Sequence, residues 1–336
     1  MRVLVIGAAG MLGRKLVERL ACDAFLGAER ISEMYLVDVV PVQSVEAGEV
    51  GVETLVADIA EPGVGEDLLS RVPDVIFDLA AVVSGEAEAD FEKGYRVNLD
   101  GTRRLFDAAR SAGHSYRPRL VFSSSIAVFG PPVPDVIGDE QATTPATSYG
   151  TQKAIAELLL SDYTRRGFFD GIGIRLPTVC VRPGEPNLAA SGFFSSIIRE
   201  PLNGETAVLP VSPEVRHWFA SPRAAVRFLL DAATLESRVI GQQRSLTMPG
   251  VSATVAMEID ALRRAAGDDA VSLIKTEPDE AIARMVAGWP RSFDARRASA
   301  LGFRAEENFD EIVRVYIDDE LGGVVGAARR SDRQGR

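Results

Sequence analysis

The sequence, 336 residues long, predicts an α/β protein in which a doubly wound parallel sheet carries helices on both faces and a smaller mixed α/β region follows. Two observations predict this. Through the first half, short apolar and β-branched runs alternate with amphipathic stretches, the pattern of strands buried on both faces and of helices covering them. Between the first such run and the first amphipathic stretch lies a glycine-rich turn, so the first strand passes directly into a helix. A chain of this length buries a sizeable core, divided between one large or two closely joined domains.

Taken in order, Val3 to Ile6 reads as the first strand, and a helix is expected from Gly10 with Leu12, Leu16 and Leu20 as its buried stripe. Met34 to Val37, Thr54 to Val56, Val75 to Leu79 and Leu120 to Ser123 read as the second to fifth strands. One long helix is predicted from about Ala89 to Ala112, with Phe91, Tyr95, Leu99, Leu105 and Phe106 able to face the sheet. From Phe129 to Ser148 the composition shifts to Pro, Gly, Asp and Thr, including Pro131-Pro132-Val133-Pro134, which predicts an ordered loop over the sheet edge. Tyr149 then opens a helix, and Ile172 to Leu176 gives another strand. Beyond it the pattern loosens, with helices predicted from the Ser221-Pro222 cap and over Ser252 to Ala266. Residues 1–176 are therefore read as a nucleotide-binding domain, 177–326 as a substrate-binding lid region that can interleave with it, and 327–336 as a frayed tail.

Composition narrows the function. With 37 basic and 48 acidic residues the formal charge is 37 − 48 = −11, which disfavours nucleic acid and anionic membranes as partners and favours a small molecule. Cys22 and Cys180 are too few for a disulfide framework, and with only His114 and His217 a multi-histidine metal site is not expected. The cysteine usage fits a reducing cytoplasm; no secretory leader is evident, and no apolar run approaches the ~18 residues of a membrane span.

Gly7, Gly10 and Gly13, with Met11 and Leu12 between the last two, form a GxxGxxG turn after the first strand. Glycines there allow a tight turn and let a pyrophosphate approach the N–H groups of the following helix, which makes the domain a Rossmann-type dinucleotide fold. Asp38 closes the second strand, where an acidic residue binds the adenosine ribose. No Arg or Lys accompanies it through Gln43, so a 2′-phosphate would meet repulsion without a counter-charge, and NAD is expected rather than NADP. Asp58 and Ile59, and Leu79, Ala80 and Ala81, end later strands where a dinucleotide would lie; ordinary strand-end packing explains them equally well.

Ser123, Ser124 and Ser125 end the fifth strand, and Tyr149 and Lys153 stand four apart at the start of the next helix, on one face. With six tyrosines and only Lys15, Lys93, Lys153 and Lys275 in the chain, a chance Tyr-x-x-x-Lys is expected only about 0.07 times. The chemistry explains the spacing. A phenol of ordinary pKa near ~10 is about 0.1% ionised at neutral pH, and lowering it by about three units takes about 4 kcal/mol. A cation near ~4 Å at an effective dielectric of ~20 supplies that much, so Lys153 beside an oxidised nicotinamide suffices. Ser125 can hold a substrate hydroxyl for proton loss while hydride leaves the carbinol carbon.

The strings GAAGMLG, LVD, LAA, SSSIAVFG and SYGTQK together resemble the extended short-chain dehydrogenase/reductase superfamily, which includes nucleotide-sugar epimerases and dehydratases, across essentially the whole chain. The resemblance implies Ser125, Tyr149 and Lys153 as the catalytic set, with Lys153 also anchoring the cofactor ribose. The candidate cofactor contacts are then Gly7, Gly10, Met11, Leu12, Gly13, Asp38, Asp58, Ile59, Leu79, Ala80, Ala81, Asn98, Ser123, Tyr149, Lys153, Pro177 and Val179. Phe129 stands where epimerase-like members often carry tyrosine, a departure that leaves the catalytic set intact.

Longer strings, LAAVVSGEAE from Leu79, RLPTVCVRPG from Arg175, ASGFF from Ala190 and Arg216-His217-Trp218, are similar to the NAD-dependent D-erythronate dehydrogenases within that superfamily. That likeness implies oxidation of a small sugar acid next to its carboxylate, giving a 2-keto acid. An anionic substrate needs a fixed cation, for which Arg216 is the first choice and Arg182 the second, with Ser84, Ser125 and His217 as hydroxyl partners. A nucleotide-sugar epimerase or dehydratase, and an NAD-sensing binding protein, remain alternatives. A homo-oligomer is compatible with each.

Overall fold

The computed structural model describes residues 1–113, 115–184 and 191–325; His114, Ala190 and the expected tail at 327–336 lie outside the described residues. Its centre is a seven-stranded sheet of β1 (Arg2–Ile6), β2 (Glu33–Asp38), β3 (Gly51–Val56), β4 (Val75–Asp78), β5 (Arg119–Ser125), β6 (Asp170–Leu176) and β7 (Ser245–Thr247). The strand order is β7-β6-β5-β4-β1-β2-β3. Every neighbouring pair is parallel, which gives the doubly wound α/β sheet predicted from the alternating pattern.

Alternation along the strands divides the core in two. Val3, Val5, Phe77, Val121 and Ile172 point to the face covered by α1 (Met11–Asp23) and by the helix Pro222–Thr234. Leu4, Ile6, Ile76, Leu120 and Phe122 point to the opposite face, against Leu105 and Phe106 and against Ala156 and Leu160 of α2 (Ser148–Arg165). In α1 the stripe is Leu16, Val17 and Leu20, while Leu12 is only half-buried near the turn.

Three expectations change. The helix predicted over 89–112 is composite: Phe91–Gly94 is α-helical, Tyr95–Gly101 is a π-helix, and Thr102–Ser111 is α-helical again. The wider π-turn rotates the faces, so Phe91 is exposed and Asn98 is buried. The helix predicted from Ser252 begins at Val255 and runs to Val271, because Val251–Thr254 is a strand antiparallel to Arg216–Ala220. The residues carry that strand's period-two pattern, with Val251 and Ala253 inside and Ser252 and Thr254 outside. Finally, α2 starts at Ser148, one residue before Tyr149, because the Thr147 hydroxyl caps it by accepting from the Gly150 amide at 3.1 Å.

A second core lies beyond the sheet, built from Cys180, Phe194, Ile197, Phe219, Ala253, Leu262, Ile312 and Tyr316. The chain does not leave the first layer at residue 176: the helix Pro222–Thr234 packs on α1, and β7 pairs with β6, before the chain returns to the second core. Among the described residues, no helix is long and apolar enough to cross a membrane.

Candidate active site

The turn after β1 is shaped by contacts that only glycine allows. Gly7 has φ +86°, and a Cβ there would stand 2.8 Å from the Ala80 nitrogen and from the Leu79 carbonyl carbon. A Cβ at Gly13 would fall 2.1 Å from the Gly7 oxygen, so the first turn of α1 can approach the strand only without a side chain. Gly10 precedes α1 with no side-chain cap, and no acidic residue sits in the helix's first turn, so its leading N–H groups face outward as an anion cradle. The Asp38 carboxylate accepts from the Ala9 amide at 2.9 Å at the end of β2, which brings the acid to the rim of this cradle. These features fit a dinucleotide.

Around the cradle the expected contacts divide. Leu79 and Ala80 are half-buried and Ala81 is exposed, whereas Ile59 is buried. Asp58 is engaged by Arg96 at 2.7 Å and by the Ala60 amide at 2.8 Å. Asn98 commits its side chain to structure: its oxygen accepts from Val82 N at 2.7 Å, and its nitrogen donates to Val82 O at 3.0 Å and to Gln152 at 2.7 Å. The Ser123 hydroxyl donates to the Asp78 carbonyl at 3.0 Å, and Pro177 and Val179 are buried beyond the end of β6.

Ser125 ends β5 with its hydroxyl accepting from the Ala127 amide at 3.1 Å and facing the Tyr149 phenol. Lys153, one turn along α2 and only 1% exposed, places Nζ 4.6 Å over the Phe122 ring and 5.8 Å from the Tyr149 ring centroid. Burial raises the phenol above its ordinary value, while the Arg182 guanidinium and the Ser125 hydroxyl pull it down. Burial also lowers the Lys153 ammonium to about 8 against the opposing pull of Asp78 and Glu157. The residue spacing points to Lys153 as the protein's own cation beside the phenol; the structure adds Arg182 as a second.

Arg182 and His217 meet at the same place. The Arg182 guanidinium donates to the Val179 carbonyl at 3.0 Å and the Ser191 hydroxyl at 2.8 Å. Among the described residues it has no carboxylate partner, and desolvation lowers its pKa. Arg216, the first-choice cation, is instead exposed and donates to the Ser252 carbonyl at 3.1 Å, so the order of the two arginines is reversed. The cause is strand alternation: Arg216 and His217 point to opposite faces, and His217 is the one turned inward. His217 Nδ1 donates to the Pro290 carbonyl at 2.9 Å, which makes Nε2 the acceptor of the Thr178 hydroxyl at 2.7 Å. Its ring stacks on Phe194 at 5.4 Å. Ser84, half-buried, opens the short helix Ser84–Ala89 after the Leu79–Val83 loop. Thr178 and Ser191 join the site without having been predicted; their one signal in the sequence is that they fall within the RLPTVCVRPG and ASGFF strings.

Residues 3–221 match the NAD dependent epimerase/dehydratase family. The chain belongs to that family. A protein of Cupriavidus necator named D-erythronate dehydrogenase is 46% identical over 323 residues, covering 95% of this chain and 98% of the relative. One of the same name from Haemophilus influenzae is 40% identical, covering 96% and 100%. The crystal structure of a protein named nucleoside-diphosphate-sugar epimerase, from Agrobacterium tumefaciens, superposes with a TM-score of 0.94 at 58% identity, covering 97% of this chain and 96% of that one. As a family member with dehydrogenase relatives along nearly its full length, the chain is a nicotinamide-dependent oxidoreductase.

His217 supplies a stability test. Burial and the nearby Arg182 lower its pKa from 6.5 to about 4, against the Pro290 hydrogen bond. A depressed pKa contributes stability that is present above about 6.5 and lost as the pH falls through about 4. The full difference is about 3 kcal/mol. Urea unfolding between pH 4 and 7 is expected to show a smaller loss for His217→Asn than for wild type, and parallel curves would exclude the assignment.

Proposed function

We propose that the chain oxidises the 2-hydroxyl of a small sugar acid, D-erythronate or a near relative, to the 2-keto acid, using NAD. The observation that carries this reading is the meeting of the Ser125, Tyr149 and Lys153 set with Arg182, a half-buried residue whose desolvated guanidinium lacks a carboxylate partner among the described residues. An Arg fork suits a carboxylate, and a buried cation without a counter-charge favours an anionic ligand. When bound, NAD supplies the acceptor for the hydride that leaves the carbinol carbon. The chain's own residues do the rest: Ser125 orients the hydroxyl, Tyr149 takes its proton, and Arg182 holds the acid so that the carbon at position 2 lies beside the phenol. Burial holds the phenol up, Arg182 and Ser125 pull it down, and Lys153 sets its ammonium 5.8 Å from the ring centroid. His217 is a poor base, since burial lowers its pKa to about 4 and its Nε2 lone pair already accepts from Thr178; it orders that hydroxyl beside Val179.

The likeness to the Agrobacterium tumefaciens protein, which is named as an epimerase, favours a second reading: a nucleotide-sugar epimerase using the same Ser-Tyr-Lys set. The two separate in one experiment: protein and NAD are mixed anaerobically with a panel of sugar acids and with UDP-hexoses. Net NADH absorbance with a four-carbon acid supports the dehydrogenase; hexose interconversion without net NADH supports the epimerase.

Three variants refine the reading. Tyr149→Phe should reduce turnover at least tenfold with NADH affinity nearly unchanged, because one transition-state hydroxyl is removed. A tenth or more of the wild-type rate excludes it as the base. Asp38→Ala should narrow the advantage of NAD over NADP in kcat/KM, since the carboxylate at the cradle rim would repel a 2′-phosphate. Wild-type parity between the cofactors refutes that role. Loss of a partner of a buried charge costs about 2–5 kcal/mol. Arg182→Ala should therefore lower kcat/KM for the acid by roughly 30-fold to several thousand-fold. The neutral polyol of the same length should be oxidised poorly by both proteins; equal oxidation of acid and polyol by wild type removes the carboxylate clamp.

A further inference from the structure

Beneath the catalytic pair lies a carboxylate that the reaction described above does not use. Asp78 is the last residue of β4, 1% exposed, and neither of its oxygens closes a hydrogen bond among the described residues, although the Thr102 hydroxyl and the Ala80 amide face it. An unpaired buried carboxyl is expensive and rarely kept without a reason. Register supplies the reason. Asp78 is the direct partner of Phe122 on β5, with Ile76 two residues before it on the same sheet face, and the Lys153 ammonium sits 4.6 Å over the Phe122 ring. Parallel register partners stand about 5 Å apart, so the Asp78 carboxyl and the Lys153 ammonium share one enclosed layer between sheet and α2.

The groups facing this layer leave few alternatives. From α2 come Tyr149, Lys153 and Glu157; from β5, Phe122 and Ser124; from the helix Thr102–Ser111, Thr102; from β1, Ile6. Glu157 is already held by Arg175 of β6 in a two-pronged pair, at 2.7 and 2.9 Å, and by the Ser124 hydroxyl at 2.5 Å. Among the described residues, the remaining carboxylate in the layer is Asp78.

We propose that Asp78 is a positioning residue for the reaction: it supplies the counter-charge that keeps Lys153 an ammonium beneath Tyr149 and toward the cofactor ribose. The inference rests on the Tyr149 and Lys153 roles given above, and not on which sugar acid is oxidised. No proton leaves the pair during turnover; Asp78 acts through Lys153. Burial raises the Asp78 pKa to about 6 and lowers that of Lys153 to about 8, so the charged pair exists between these values. Below about pH 6 the carboxyl takes a proton, and above about pH 8 the ammonium loses one.

The test is the affinity of the full-length protein for NADH, followed by fluorescence from pH 6 to 10, which needs no substrate. Wild type should bind NADH more weakly as the pH rises through about 8. In Asp78→Asn the midpoint should move down by about one unit, with about fivefold weaker binding at the wild-type midpoint and about tenfold well above it. The alkaline limb of kcat, read with any active substrate, should move in the same direction. Asp78→Ser provides the same measurement if the Asn variant does not fold. A merely structural role would weaken binding at every pH with the midpoint in place. A flat wild-type profile, or a midpoint unchanged or raised in the variants, overturns the proposal. Failure to oxidise any sugar acid would instead refute the substrate reading and leave this titration intact.

Discussion

The buried ammonium of Lys153 is the constraint around which the rest of the site is arranged. An ammonium removed from water costs several kcal/mol unless nearby charges and polarizable faces compensate, and here an aromatic face, Phe122, lies directly under it. The next turn of the helix brings Glu157 down onto Arg175 and Ser124, so α2 is fixed to β5 and β6 by directional polar contacts as well as by Ala156 and Leu160. Arg175 in turn covers the Phe129 ring at 5.0 Å. A buried Arg–Glu pair is weak evidence for added stability, but a slip of α2 by one residue would leave both charges unpaired. The network therefore sets the register of the helix, and with it the height of Tyr149 above the strand ends.

The π-helix makes the second adjustment. A regular helix over 95–101 would turn Asn98 away from the loop that follows β4. The wider turn instead buries Asn98 between Val82 and Gln152, the residue before Lys153, and so ties the Leu79–Val83 loop to α2. Gly101 completes this segment, because a Cβ there would stand 2.9 Å from Ile59. The wider turn and the clamping amide thus hold the Leu79–Val83 loop against α2, while the missing side chain at Gly101 lets Ile59 pack close.

How much of this was legible in the sequence depends on the physical signal each element carries. The inner strands were readable because burial on both faces leaves continuous apolar runs, whereas the three-residue edge strand β7 is too short to stand out and was not predicted; the Gly7–Gly13 turn was readable because close backbone approach leaves glycine at fixed intervals. The Tyr149 and Lys153 spacing was readable because lysine is scarce in the chain. The π-helix left no such mark: its residues still show helical periodicity, and only packing against Ile59 and Val82 selects the wider turn. The strand at Val251–Thr254 was masked by the cap that follows it, since Thr254 both ends the strand and accepts from Met257 N at 3.2 Å. Choosing between Arg182 and Arg216 needed the burial phase of a five-residue strand, which isolated residue types do not give.

The placement of Arg182 shows how the second core reaches the chemistry. Arg182 follows β6 by only six residues, yet its position is set from the far side: its amide donates to Ser195 Oγ at 3.0 Å, and its carbonyl accepts from Arg199 at 2.8 Å, both on the helix Gly192–Leu202. Phe194 of the same helix stacks on His217, and His217 holds Thr178 beside Val179. The apolar packing of Phe194, Ile197 and Ile198 that stabilises the second core thereby fixes the guanidinium and the Thr178 hydroxyl relative to the ends of the sheet. A residue deep in that core, far from the Ser125, Tyr149 and Lys153 set, bears on the position of Arg182 to the extent that it tilts this helix. On the proposed carboxylate role of Arg182, a tilt of even ~1 Å would move the guanidinium by a distance that matters for a two-pronged contact.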